Sequence, residues 1–567
     1  MANQETSHAG AGAGSPNDDA LAHCGEPPVL NIQVEPFGPD QAQLDQAMTA
    51  LLSHPSVLAM VSHGDYRLLS FALEHEGEAA DCTSRAEKRA GPCYPDRFVG
   101  TVHDYAESRV LEIRGQLHAL DPQVPGPVEV RVLGHQPLSS VEEFAAAVEI
   151  VKHERDLRER LASGEIVAFR PMPPFMDRQL PDGRFERTLT VGLRATRADA
   201  PFHEIVAVSM FDRRVIRGDL EGLVQAGTRV CEPPPGVDTP NARGLSGQCW
   251  VTVTSGGQTL WRFLAVRPSA SSGTNGSGIE LKYVDYRGKR VLFHAHLPIL
   301  NVEYGADGIA LNCGPTYRDW QNEETQFVAN GAAVAPGFLL CQQPAQTIID
   351  NGTDAGNFAG VAIYVDGAEV VLVSEMMAGW YRYITEWRLH ADGTIRPRFG
   401  FAGTENRCTC HVHKHHAYWR LDFDIRTPGH NVVEEFNDPP IVGNSNWHTK
   451  QFEIQRQRDA GHKRKWRVRN TVSGEAYNIV PGAHDGSPTS YGVGDLWVLR
   501  YHPGEIDDGQ GFTTDPNLSR AHLERFMSPP ESVADTDVVV WYAGHYVHDA
   551  GVEVGNRVGP DLIPSGW

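Results

Sequence analysis

The chain has 567 residues, with 50 Lys and Arg against 72 Asp and Glu, a formal net charge of −22 at pH 7. That length accommodates several domains of ordinary size. The acidic balance argues against nucleic acid as a partner, since nucleic-acid recognition needs a basic footprint. No run of about 18 apolar residues occurs, so no membrane span is expected. The 9 cysteines are odd in number and scattered, and form no regular disulfide framework.

Residues 1–28 are polar and rich in Ala, Gly and Ser. They lack the basic and apolar regions of a secretory signal and read as a disordered tail, which makes a cytoplasmic location the expectation. Residues 29–133 combine a helical pattern over 41–53 with short strands such as 66–71, and read as a small α+β domain. A second α+β domain is expected over 134–232. Ser139 or Ser140 caps its helix, Glu142 and Glu143 fill the first turn, and Phe144, Val148, Ile150 and Val151 carry the pattern toward Leu161. Strands follow at 188–193 and 205–208. Pro233-Pro234-Pro235-Gly236 opens a polar linker over 233–247.

From 248 to 567 the chain is mainly β. Alternating segments such as 368–373, 381–389 and 538–542 recur between turn signals, and Asp392-Gly393 is a hairpin turn. This length of alternating strands predicts one large C-terminal β-sandwich. Neither a Rossmann glycine fingerprint nor a P-loop is present.

The densest chemistry lies in His411-Val412-His413-Lys414-His415-His416, followed by Trp419-Arg420-Leu421-Asp422-Phe423-Asp424. Residues two apart on a strand share a face, so His411, His413 and His415 project together and His416 projects to the other side. Any adjacent pair of the three can grip a metal; imidazole suits copper, zinc, iron and nickel. The alternative is a solvated basic turn. Cys408 and Cys410, just upstream, read as ordinary thiols rather than a metal or redox pair.

With the histidines on a strand, the sequence resembles the copper amine oxidase family. His413-Lys414-His415 ends five residues before Arg420-Leu421-Asp422-Phe423-Asp424, and His548 follows Trp541 of Val540-Trp541-Tyr542 by seven. Lys289-Arg290-Val291-Leu292-Phe293, Val302-Glu303-Tyr304-Gly305, Trp466-Arg467-Val468-Arg469-Asn470, Ile479-Val480-Pro481-Gly482 and Asp495-Leu496-Trp497 recur in the family order. The resemblance spans about 30–567.

The resemblance implies copper held by His413, His415 and His548, with His411 and His416 outside the ligand set. It implies a peripheral calcium site at Asp422, Asp424 and Asp537, with main-chain oxygens from Phe423 and Val538. It places Tyr381 at the position converted to topaquinone and gives Tyr304 a hydrogen bond to the cofactor ring. The catalytic base is expected fourteen residues after Tyr304, which is Arg318, so one inserted residue brings Asp319 into that role. A homodimer is implied, with O₂ and a small-molecule substrate. The implied reaction is oxidation of a primary amine to an aldehyde, with H₂O₂ and ammonia as products. Three positions around Tyr381 depart from the family: Met377 stands for Thr, Trp380 for Asn and Arg382 for an acid. Those departures keep open a topaquinone-free copper oxidase or oxygenase acting on a specialised metabolite. A non-catalytic metal-binding homologue is the third reading, and retention of all three histidines argues against it.

Overall fold

The computed structural model describes residues 28–61, 65–73, 94–134, 136–172, 174–176, 178–181, 185–197, 202–217, 246–304, 316–404, 409, 412–513, 515–548 and 557–567. The tail expected over 1–28 and the linker over 233–247 lie almost wholly outside these residues, as do Cys408, Cys410 and His411.

Two small antiparallel sheets precede the large one. In the first, strands Tyr66–Leu73, Arg97–Asp104, Arg109–Gln116 and Glu129–Leu133 form a meander. Helix Gln41–Leu52 covers it, burying Leu44, Ala47 and Leu51 along one stripe. Its N-terminus is closed by a reciprocal box in which Asp40 accepts from the backbone of Gln43 and the Gln43 side chain accepts in return. In the second, strands Ile166–Phe169, Thr188–Ala195, His203–Ser209 and Arg214–Ile216 pair in chain order, with Thr188–Ala195 and His203–Ser209 at the centre. The helix starts where the sequence expects, with Ser140 Oγ accepting from Glu143 N. It ends at Val151 rather than running to Leu161, and a short helix Arg158–Ala162 follows. The intervening turn carries Leu157 into the apolar core of this unit, where a continuous helix would have to keep its own phase.

The rest is a sandwich of a ten-stranded and an eleven-stranded sheet. Strand Asn31–Pro36 pairs along its length with Gln248–Ser255 and so belongs to the ten-stranded sheet, not to the small unit that follows it in sequence. Its alternating pattern marks it as a strand but does not name its partner. At the middle of that sheet run Glu280–Tyr286, Lys289–Glu303, His413–Phe423 and Val538–His548. The facing sheet contains Glu369–Ala378, Tyr381–His390 and Ile395–Gly403. Trp419, Leu421 and Phe423 from one side and Tyr383, Trp387 and Leu389 from the other share one continuous core. Each large apolar side chain buried there contributes roughly 1.5–3 kcal/mol.

Two glycines fix the turns at either end of strand Tyr381–His390. The loop Gly379-Trp380 joins paired residues Ala378 and Tyr381, and Gly379 has φ +58°. A positive φ at the first of two loop residues is what a II′ hairpin turn requires. At the other end of the same strand, Gly393 has φ +99° in the Asp392-Gly393 turn, and a Cβ there would lie 2.6 Å from the Tyr286 ring.

Candidate metal and active site

The site lies between the two large sheets. His413 and His415 alternate on one strand and face the opposite sheet, and His548 is the direct cross-strand partner of His413. Directly opposed residues stand with their Cβ atoms about 5 Å apart on the same face. This is how a histidine 135 positions away joins the pair. All three are buried, with one ligating atom from each lying within 4.8 Å of the others. His413 Nε2 is 3.0 Å from His415 Nε2 and 3.2 Å from His548 Nδ1. Burial, reinforced by the neighbouring imidazoles, drives the pKa of His415 well below its ordinary value. A neutral imidazole is the ligating form. Three such donors fit a copper ion and leave further coordination positions for small molecules.

Tyr381, wholly buried, reaches this cluster from the facing sheet. Its hydroxyl is 2.6 Å from His413 Nε2, and its ring stands edge-on to that of His415 at 4.8 Å. Tyr304 donates to the Tyr381 oxygen at 3.0 Å, and the Trp380 indole N–H donates to the Tyr304 oxygen at 2.9 Å. Arg382 turns the other way, as alternation requires. Its guanidinium makes a two-point ion pair with Asp354 at 2.7 and 2.9 Å, and it also donates to the carbonyls of Gly379 and Tyr381. It therefore braces the hairpin backbone that carries Tyr381.

The same alternation separates Arg318 from Asp319. Arg318 points into a buried two-point pair with Asp508 at 2.7 and 2.8 Å. Asp319 points into the site, where it accepts a hydrogen bond from the Tyr383 hydroxyl. Tyr383 stacks on Tyr381, with ring centroids 5.4 Å apart. Burial raises the pKa of Asp319 to about 7, against the lowering effect of the Tyr383 hydrogen bond. Its second oxygen, Oδ1, is buried without a hydrogen-bond partner among the described residues. Tyr304 and Tyr383 are held protonated, first by burial and then by their charged and phenolic neighbours.

His416 faces the other side of the strand. It lies against His545, with Nδ1 atoms 2.8 Å apart, and near Glu303 at 3.4 Å. Asp422, Asp424 and Asp537 also converge, with one oxygen from each within 4.8 Å of the others. Phe423 and Val538, from which main-chain oxygens are expected, are cross-strand partners beside them. Sequence reasoning did not find Tyr383, whose signal was its spacing of two from Tyr381, or Asp354, which nothing in the sequence ties to Arg382.

The facing sheets and the preceding α+β units make the copper amine oxidase fold. No protein-family model matches the chain. It is similar to a copper-containing benzylamine oxidase from Hansenula polymorpha, with a TM-score of 0.61 and 12% identity over 94% of this chain and 98% of that one. It is also similar to an amine oxidase from Aspergillus nidulans, with a TM-score of 0.55 and 14% identity over 96% and 91%. A lysyl oxidase from Pichia pastoris gives a TM-score of 0.55 and 13% identity over 96% and 92%. At such identities the shared property is the fold.

Proposed function

We propose that this chain is a copper-dependent oxidase, with His413, His415 and His548 holding the ion and O₂ as electron acceptor. The observation that carries this reading is the meeting of three buried imidazoles with the Tyr381 hydroxyl, supplied by opposite sheets. The finer reading is oxidative deamination of a primary amine to an aldehyde, giving H₂O₂ and ammonia. The similar structures are named as oxidases of benzylamine and lysyl groups, which supports an amine as the substrate. Copper supplies redox exchange with O₂, and topaquinone derived from Tyr381 supplies the carbonyl chemistry that no ordinary side chain offers.

The chain's own residues position and move protons. Asp319 removes the proton from the carbon next to the substrate nitrogen; a pKa of about 7 is matched to that task near neutral pH. Tyr383 orients the carboxylate through its hydrogen bond. Tyr304 holds the oxygen of Tyr381, and Trp380 holds Tyr304. The burial of all of these groups keeps bulk water from the reacting atoms. Asp422, Asp424 and Asp537 form a calcium site in this reading, since calcium takes oxygen donors. The assembly is a homodimer.

A second reading is a topaquinone-free copper oxidase or oxygenase acting on a specialised metabolite. It is favoured by Arg382, committed to Asp354, and by Trp380, which stands where the resemblance expects an amide. Copper-loaded, aerated protein separates the two. A visible quinone band that reacts with phenylhydrazine supports the first reading. An unmodified Tyr381 peptide in mass spectrometry supports the second. Failure to retain copper overturns both.

A further inference from the structure

A different set of metal-type donors lies on the opposite face of the ten-stranded sheet. His294 and His296 alternate on strand Lys289–Glu303, and their cross-strand partners are Asp422 and Arg420. Those partners alternate with Leu421, which faces the sandwich core, so the two histidines face away from the copper cluster. Glu280 begins the adjacent strand, where Leu281 pairs with Ala295. We propose that Glu280, His294 and His296 form a further, buried metal site that takes a divalent ion of the zinc type.

The three residues each offer one donor atom within 4.8 Å of the others, and none is more than 4% exposed. His294 Nε2 lies 3.2 Å from Glu280 Oε2, and His296 Nδ1 lies 3.6 Å from Glu280 Oε1. Donors arranged tetrahedrally about zinc at bond lengths of about 2.0–2.2 Å stand roughly 3.3–3.6 Å apart. The rings lie 4.0 Å apart, tilted by 31°, so both present edges to the same carboxylate. Two imidazoles and one carboxylate are a known zinc donor set that leaves a position open.

The surroundings hold these donors in place. Ser272 donates to Glu280 Oε1 through both its backbone N–H and its hydroxyl. Such outer contacts orient ligands in metal sites. The hydroxyls of Ser277 and Ser272 lie 3.1 and 3.3 Å from His296 Nδ1, the same nitrogen that faces Glu280, so an ion bound there would displace them. The ring's other nitrogen, Nε2, is buried with no hydrogen-bond partner among the described residues. Burial also lowers the pKa of both imidazoles, which keeps them in the lone-pair form. Lys282 Nζ stands 3.8 Å from Glu280 Oε2 and offsets part of the carboxylate charge. Two of the three donors are imidazoles, which selects a borderline ion over calcium or magnesium.

The test uses full-length chain loaded with one equivalent of copper, in millimolar calcium to occupy the aspartate cluster. Titration with Co²⁺, a visible-absorbing substitute for zinc, is followed by spectroscopy and elemental analysis. One equivalent of cobalt is expected in the wild type. Glu280→Gln and, separately, His294→Gln are expected to take up none while their copper content is unchanged; two variants guard against one that misfolds. No cobalt uptake by the wild type, or uptake by both variants equal to the wild type, overturns the proposal. Failure of the copper assignment appears separately, as unchanged copper content in His548→Ala.

Discussion

Asp319 is the residue whose environment makes the sharpest demand on chemistry. A carboxylate must be ionised to accept a proton, and burial raises its pKa to about 7. Turnover is therefore expected to fall as pH drops through about 7, with the limb set by a single ionisation. Asp319→Asn should remove that limb and slow turnover by about 10²–10⁴-fold, the usual worth of a positioned general base. A pH–rate profile of both proteins checks this, and an unchanged acid limb in the variant would assign it to another group. His548→Ala removes one of three imidazoles while leaving its strand paired with His413–Phe423. Bound copper and O₂ consumption should both be lost, as read by elemental analysis and an oxygen electrode. Tyr381→Phe deletes the hydroxyl that meets His413 Nε2. Under the amine oxidase reading it abolishes H₂O₂ release from primary amines.

At the scale of elements, the Tyr381 hairpin is held from two sides. Gly379 gives the turn its left-handed residue, and a Cβ there would overlap the Met172 side chain. Gly379→Ala thus combines backbone strain with a steric clash. It should destabilise the chain by about 1–3 kcal/mol, read in denaturant melts. Arg382 supplies the other support. Its pair with Asp354 is nearly free of solvent, with side chains 2% and 4% exposed. Arg382→Gln leaves the Asp354 carboxylate buried without its guanidinium and should cost roughly 3–5 kcal/mol. A melt unchanged from wild type would show that the pair does not brace the hairpin.

For the whole molecule, the site exists only because two sheets face one another. The ten-stranded sheet brings the imidazoles, and the eleven-stranded sheet brings Tyr381 and Tyr383. Among the described residues, no helix is long and apolar enough to cross a membrane. Under the proposed homodimer, light scattering at micromolar concentration should give twice the chain mass of 62.3 kDa. A monomer would overturn the homodimer.

The sequence by itself determined the mainly β class, the start of the helix at Ser139 or Ser140, and the shared face of His413 and His415. Each of these follows from local periodicity or from a cap within a few residues. It also determined that His416 faces away, by the same alternation. The tertiary structure decided what depends on partners distant in the chain. It pairs Asn31–Pro36 with the sandwich, because an edge strand's alternating pattern is indifferent to which neighbour supplies the hydrogen bonds. It turns Asp319 rather than Arg318 toward Tyr383, because Asp508 takes up the guanidinium from the other side. It sends Arg382 to Asp354, and it joins Glu280 to His294 and His296, which the sequence reading had not singled out. Those contacts lie across strands and sheets, where spacing along the chain carries no information about which side chains meet.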